Sequence, residues 1–360
     1  MRCLSNASIN FHIKRYNVKM AYTLFDKIWN KHVVSRNAGF PDTLYIDIHL
    51  INKVTSPEAF EGLRKRNISV LRPCQTLILK DAAFSQHIPI SDLSRFQLDL
   101  YNRNCSDFGL ENFEQNLIER VESITALPGQ TLVCDYNQAA YIGAFGVLAI
   151  GISEFQVEQV LATQSLLINK PKRMKIEING KLEKGLGAKD INHFMLSEIS
   201  AVGANGYFIE YDGDTILNLD MTGRMAICNM SREIGAMGGI IAPDQVTLNY
   251  LSSIGVQTGY NQTGGGTDYS ENLYSDQSSV FDEVLEFDAE DIGPGNYGIG
   301  LSKLIQSKPA YERSGMIMQD GAAILAGYND TDYLLSRLDI IKDYESSINT
   351  NFSMGVNPQY

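Results

Sequence analysis

A chain of 360 residues is long enough for two domains, each closed around its own core. Its 44% hydrophobic and 20% charged residues give it the composition of a globular protein, not a disordered one. A net charge of −12 argues against nucleic acid as a partner, and no stretch reaches the ~18 apolar residues of a membrane span.

Residues 1–19 read as an N-terminal extension without the apolar centre of a secretory signal. The globular pattern begins at Met20. In AYTLFDKIWNKHVV, Leu24, Ile28, Trp29 and Val33 are spaced for one face of a helix. TLYIDIHLI (43–51) reads as one strand, and SPEAFEGLRKR as a helix with Ser56 as its cap and Pro57 in the first turn. The runs QTLILK, QTLVCDY, RMKIEING and GYFIEYDG are strand-like. Helical patterns lie between the later ones, among them SEFQVEQVLATQSLL and TGRMAICNMSREIGAM, and this alternation predicts an α/β architecture with a largely parallel sheet. Gly143, Gly146 and Gly151 mark a place where helix and sheet pack closely. The Gly-rich stretch 259–279 reads as an exposed loop.

Five cysteines (Cys3, Cys74, Cys105, Cys134 and Cys228) are scattered, with no C-x-x-C pair. They suggest neither a disulfide framework nor a zinc site, and a reduced, cytoplasmic protein is expected. Cys134 and Cys228 stand in apolar runs and read as buried and inert. His12, His32, His87 and His193 have no metal-ligand spacing and read as surface or packing residues. His49, on a strand, reads as a hydrogen-bonded structural residue.

Five segments carry a resemblance. YIDIHLINKVTSPEAFEGLR (45–64), LPGQTLVC (127–134), GAFGVLAIGISEFQVEQVLATQSL (143–166), GRMAICNMSREIGAMGGIIAPD (223–244) and FDEVLEFDAEDIGP (281–294) resemble blocks of the aconitase/isopropylmalate isomerase large-subunit family, in the family's order. The resemblance covers about Met20 to Pro294. It implies aconitase-like domains 1 and 2 at residues 20–130 and 131–294. The 66 residues after Pro294 are then a reduced remnant of the third, cluster-binding domain, or a tail (295–360). It further implies a swivelling domain on a separate small subunit.

In that family a [4Fe–4S] cluster is held by three cysteines of the third domain, and its open iron acts as a Lewis acid. Where the first ligand would fall, AAILAGYNDTDYLLSRLDIIK (322–342) offers Ala326 or Tyr328, neither of them a soft ligand. No [4Fe–4S] cofactor is therefore expected of this chain. The family's Asp-Ser-His triplet reads Tyr136, Asn137, Gln138, its Asp-His pair reads Asp81, Ala82, and a third histidine falls at Glu119. The family's glutamine is Glu58, while Asn229 and Glu233 stand as in the family, one helical turn apart.

If Glu58, Asp81, Glu119 and Glu233 converge, the cleft should repel acidic substrates and could take Mg or Mn or an amine-bearing ligand; otherwise the carboxylates are solvated or neutralised. Two functions remain open at this point. One is an enzyme on a small metabolite with lyase-type proton transfer. There Glu233 and Tyr136 serve as base and acid, and Asn229 and Gln138 as anchors beside the other polar residues named. The other is a non-catalytic subunit that binds a ligand, a small swivel-type subunit or a cluster-bearing paralogue.

Overall fold

The computed structural model describes residues 21–52, 56–79, 92–110, 117–118, 127–256 and 273–293. The chain opens with helix α1 (Leu24–His32), capped by the Thr23 hydroxyl, which accepts the Asp26 amide at 3.0 Å. The apolar spacing of its sequence puts Leu24, Phe25, Ile28 and Trp29 inside. Burying each of the two aromatics contributes about 1.5–3 kcal/mol. Asp26 is buried too. Burial works against its charge, but Lys170 at 2.5 Å and Arg173 at 2.8 Å outweigh that and hold its carboxyl below the ordinary range.

The run read as a single strand divides into β2 (Asp42–Tyr45) and β3 (Ile48–Ile51), which belong to different sheets. Asp47 causes the break. Its carboxylate accepts the Thr131 amide at 2.8 Å and pairs with His32 at 2.8 Å, contacts that a residue in a strand ladder could not make together. β2 lies between β1 (Val33–Ser35) and β8 (Ser165–Ile168) in an antiparallel three-stranded sheet.

The first parallel sheet has the order β5-β4-β3-β6-β7, adding β4 (Thr76–Leu79), β5 (Leu117–Ile118), β6 (Thr131–Cys134) and β7 (Leu148–Gly151). It draws strands from both sides of residue 130. Helix α2 (Pro57–Arg66) follows β3 with Pro57 in its first turn as expected, but Ser56 makes no side-chain cap; its hydroxyl donates to the Asn52 carbonyl instead. Helix α3 (Asp92–Asp107) precedes β5, α4 (Tyr136–Ile142) joins β6 to β7, and α5 (Glu154–Thr163) leads into β8.

The second parallel sheet, β11-β10-β9-β12, is built from β9 (Lys172–Asn179), β10 (Tyr207–Asp212), β11 (Gly238–Ile241) and β12 (Glu283–Asp288). Its helices are α6 (Ala188–Ile199), the short α7 (Asp214–Leu217), α8 (Met221–Glu233) and α9 (Gln245–Ser253). The α/β class read from the sequence is the observed one.

Ile176, Ile178, Ile209, Tyr211, Ile227 and Cys228 share a core with Leu132 and Ala149 of the first sheet, so the two sheets are packed together. Gly143 permits that approach: a Cβ there would lie 1.7 Å from the Gly239 carbonyl oxygen. No helix among the described residues is long and apolar enough to cross a membrane.

Candidate functional site

In open parallel sheets, ligands bind beyond the carboxyl ends of the strands. Most of the residues singled out from the sequence follow such ends, whereas Asn229 and Glu233 close helix α8, ahead of β11. Glu58 comes after β3 and Tyr136, Asn137 and Gln138 directly after β6, and β3 and β6 are neighbours in the sheet. Asp81 and Glu119 follow β4 and β5 in sequence and lie outside the described residues.

Tyr136 is the first residue of α4 and is 51% exposed. Its position depends on Gly151 at the end of β7, where a Cβ would stand 2.4 Å from Tyr136 Cδ1. The ring thus lies over the neighbouring strand end, leaving half its surface accessible. Asn137 and Gln138 occupy the same first turn of α4, and their side chains lie outside the described set. Helix α4 packs against α8, and Asn229 and Glu233 are exposed near the C-terminal end of α8. Glu58 is exposed in the first turn of α2. The structure therefore brings the helices of Tyr136 and of Asn229 and Glu233 side by side, with Glu58 on an adjacent strand-to-helix unit.

Four groups were missed or misread in the sequence. His32 donates from both ring nitrogens, through Nδ1 to the Ile28 carbonyl at 2.7 Å and through Nε2 to Asp47 at 2.8 Å. A ring with an acceptor at each nitrogen carries both protons. Burial opposes that charge, yet Asp47 and Ile28 raise the imidazole above its ordinary value. His49 is fully buried with no partner at either nitrogen among the described residues, contrary to the expected hydrogen-bonded role, and burial pushes it down to about 3.

Glu210, on β10, is buried with Oε2 unpartnered among the described residues, and burial first, then Asp212, raises it to about 7 against the pull of Ser275, Lys175 and the Leu24 amide. Arg224, wholly buried on α8, holds Asp244 through two bonds of 2.6 and 2.7 Å. A charged residue among apolar ones would have marked Glu210 and Arg224, whereas nothing local marks the long-range partners of His32.

The scan of family models matches the Aconitase family (aconitate hydratase) over residues 26–298. The chain belongs to the aconitase family. It is 44% identical to the 3-isopropylmalate dehydratase large subunit of Cytophaga hutchinsonii, covering 88% of this chain and 72% of that one. The corresponding protein of Flavobacterium johnsoniae is 38% identical with the same coverage. That of Bacteroides thetaiotaomicron is 41% identical over 82% of this chain and 67% of its own length. Residues 1–294 make up less than 88% of the chain, so the first match runs past Pro294, beyond the stretch the sequence motifs marked.

This kinship overturns one expectation. The missing cysteines lead to the expectation of no [4Fe–4S] cofactor, and the carboxylates to Mg or Mn at most. The aconitase-family chains it matches are 3-isopropylmalate dehydratase large subunits, which as a family carry a [4Fe–4S] cluster. The described residues do not themselves fit that group. Cys105, Cys134 and Cys228 are buried, and burial pushes all three thiols up, Cys105 to about 12, so none is a ready thiolate. Cys74 is exposed, and among the described residues no three His, Cys, Asp or Glu side chains converge as metal ligands.

Proposed function

We propose that this chain works as the large subunit of a hydro-lyase of the isopropylmalate dehydratase type, acting on a branched hydroxy-dicarboxylate together with a smaller chain. The observation that carries the reading is 44% identity, over 88% of this chain, to a 3-isopropylmalate dehydratase large subunit.

In this reading Glu233 takes the proton beside a substrate carboxylate, the C–O bond to the neighbouring carbon breaks, and the departing hydroxide leaves as water with the phenolic proton of Tyr136. Proton exchange with solvent restores both groups. Asn229 and Gln138 hold the substrate's oxygens. Solvent access to Tyr136 and Glu233, on helices packed together, supports the assignment.

A second reading is a subunit that binds ligand or partner without turnover. It is favoured by Asn137, Gln138 and Ala82, which stand where the resemblance expects groups that move protons.

The test is co-expression with the host's small subunit, anaerobic purification, and an assay of 3-isopropylmalate dehydration by the ultraviolet absorbance of the alkene product. Turnover that falls about 100-fold or more in Glu233→Gln and Tyr136→Phe supports the roles given, that being the lower range for a general acid or base. Turnover untouched by both variants removes the roles but keeps the activity. A stable complex with no turnover favours the second reading.

A further inference from the structure

We propose that Glu210 is a pH-sensitive latch: with its proton on, it holds the start of α1 and residues 273–276 closed over β10, and without it both are released. The inference is independent of the catalytic reading, since no candidate site residue is among the groups that act on Glu210.

Three parts of the chain meet at this carboxyl. Glu210 stands on β10 between Lys175 of β9 and Ile240 of β11 and is 4% exposed. The Ser275 side chain and the Leu24 amide bond to its carboxyl, and the same amide reaches Ser275 Oγ at 2.7 Å. Around this point α1 and residues 273–276 grip each other. The Tyr22 amide donates to Asp276 Oδ2 at 2.9 Å, and the Asp276 amide donates to the Tyr22 carbonyl at 3.0 Å. Lys27 reaches Asp276 at 2.7 Å and the Tyr274 carbonyl at 2.6 Å. Leu273 closes the joint from within the core that holds Phe25 and Trp29. Beneath these contacts Oε2 of Glu210 has no partner among the described residues.

A neutral carboxyl suits that setting better than a carboxylate, because the cations around it are engaged elsewhere. β9 brings Lys175, whose ammonium is bound by Glu177 at 2.6 Å and by Asp212 at 2.9 Å. Asp212, on the same strand, adds a like charge. β11 (GGII) brings no charged side chain. α1 brings Asp26, held by Lys170 and Arg173, and Lys27, held by the Asp276 of the facing segment. Burial and Asp212 accordingly outweigh Ser275, Lys175 and the Leu24 amide and raise the carboxyl to about 7. β9 and β11 are fixed by the sheet ladder on either side, so water reaches an ionised Glu210 from the side of Leu24 and Ser275.

Once opened, the carboxyl returns to the ordinary range near 4.5. Opening therefore becomes easier as pH climbs from there and levels off above about 7. The test is hydrogen exchange of the full chain at about pH 5 and pH 8, read by mass spectrometry and corrected for the intrinsic rate at each pH. Protection of the Tyr22, Leu24 and Asp276 amides should be about ten-fold or more lower at the higher pH, while β7 keeps most of its own. In Glu210→Gln, which cannot ionise, those amides should be as protected at the higher pH as at the lower. That variant also separates the latch from His32, at the far end of α1. The wild-type series decides without it. Equal protection of the three amides at the two pH values overturns the proposal, as does a fall of the same size in β7, which is global loosening. A Glu210→Gln protein whose amides still open at the higher pH overturns it too.

Discussion

Replacing His32 by Asn should lower stability by about 3 kcal/mol and remove part of its pH dependence. The side chain is 7% exposed and joins α1 to the Asp47 carboxylate between β2 and β3. Breaking one side of a buried pair costs about 3–5 kcal/mol. The lower end applies because the Thr131 amide and hydroxyl still satisfy Asp47, at 2.8 and 3.1 Å. The imidazole is raised above its ordinary value, so its contribution is full below about pH 6.5, the unfolded value, and is lost as pH rises through the folded one. Asp47 is shifted the other way, with burial opposing and His32 and Thr131 outweighing it. Its share is present above about pH 4 and disappears as pH falls through its lowered folded value. Urea unfolding of the protein and of His32→Asn across this range, followed by tryptophan fluorescence of Trp29 one turn away, gives the difference between the two curves. That difference should shrink as the pH is raised above neutrality. If it is the same at every pH, His32 is not a charged partner of Asp47.

Glu210→Gln should do the opposite above neutrality. A buried acid raised to about 7 costs stability as pH climbs from about 4.5, so the amide should stabilise the protein at pH 8 by about 2–3 kcal/mol, measured by the same denaturation. Gly151→Ala should displace Tyr136 and cost about 1–3 kcal/mol of overpacking, read as a lower melting temperature, with more loss in turnover than Tyr136→Phe if the ring's position matters. Alkylation of the native protein by iodoacetamide, mapped by mass spectrometry, should label Cys74 and spare Cys105, Cys134 and Cys228 until denaturant is added.

Most of the architecture was legible in the sequence because its signals are local. The strand runs QTLVC and RMKIEIN, the Pro57 helix start and the glycines at 143 and 151 all do what their residue types suggest. What escaped depended on distant partners. TLYIDIHLI looks like one strand because nothing within it reveals that Thr131, 84 residues away, will capture Asp47. Ser56 looks like a cap because its competitor, the Asn52 carbonyl, becomes available only once β3 ends there. For the candidate site, Glu233 lies in a run the sequence marks as helical, whereas the helix that opens at Tyr136 and packs against it was not marked. The missing cysteines were misleading for a different reason. They were read from this one chain, whereas the 3-isopropylmalate dehydratase large subunits it matches carry a [4Fe–4S] cluster as a family, and local chemistry could not weigh the two.

The N-terminal helix has a further consequence for how the protein is made. Tyr22 and Asp276 exchange hydrogen bonds across 254 residues, Leu24 leans on Ser275, and Asp26 waits for Lys170 and Arg173. A ribosome adding about 5–20 residues per second takes roughly 10–50 seconds to supply those partners. Through that interval Phe25, Ile28 and Trp29 have only the nearby part of their core, such as Leu44 and Ile46, to pack against. Part of this early segment's anchoring is thus completed only late in synthesis, and a chain released before then presents an incompletely held helix to the cell's chaperones and proteases.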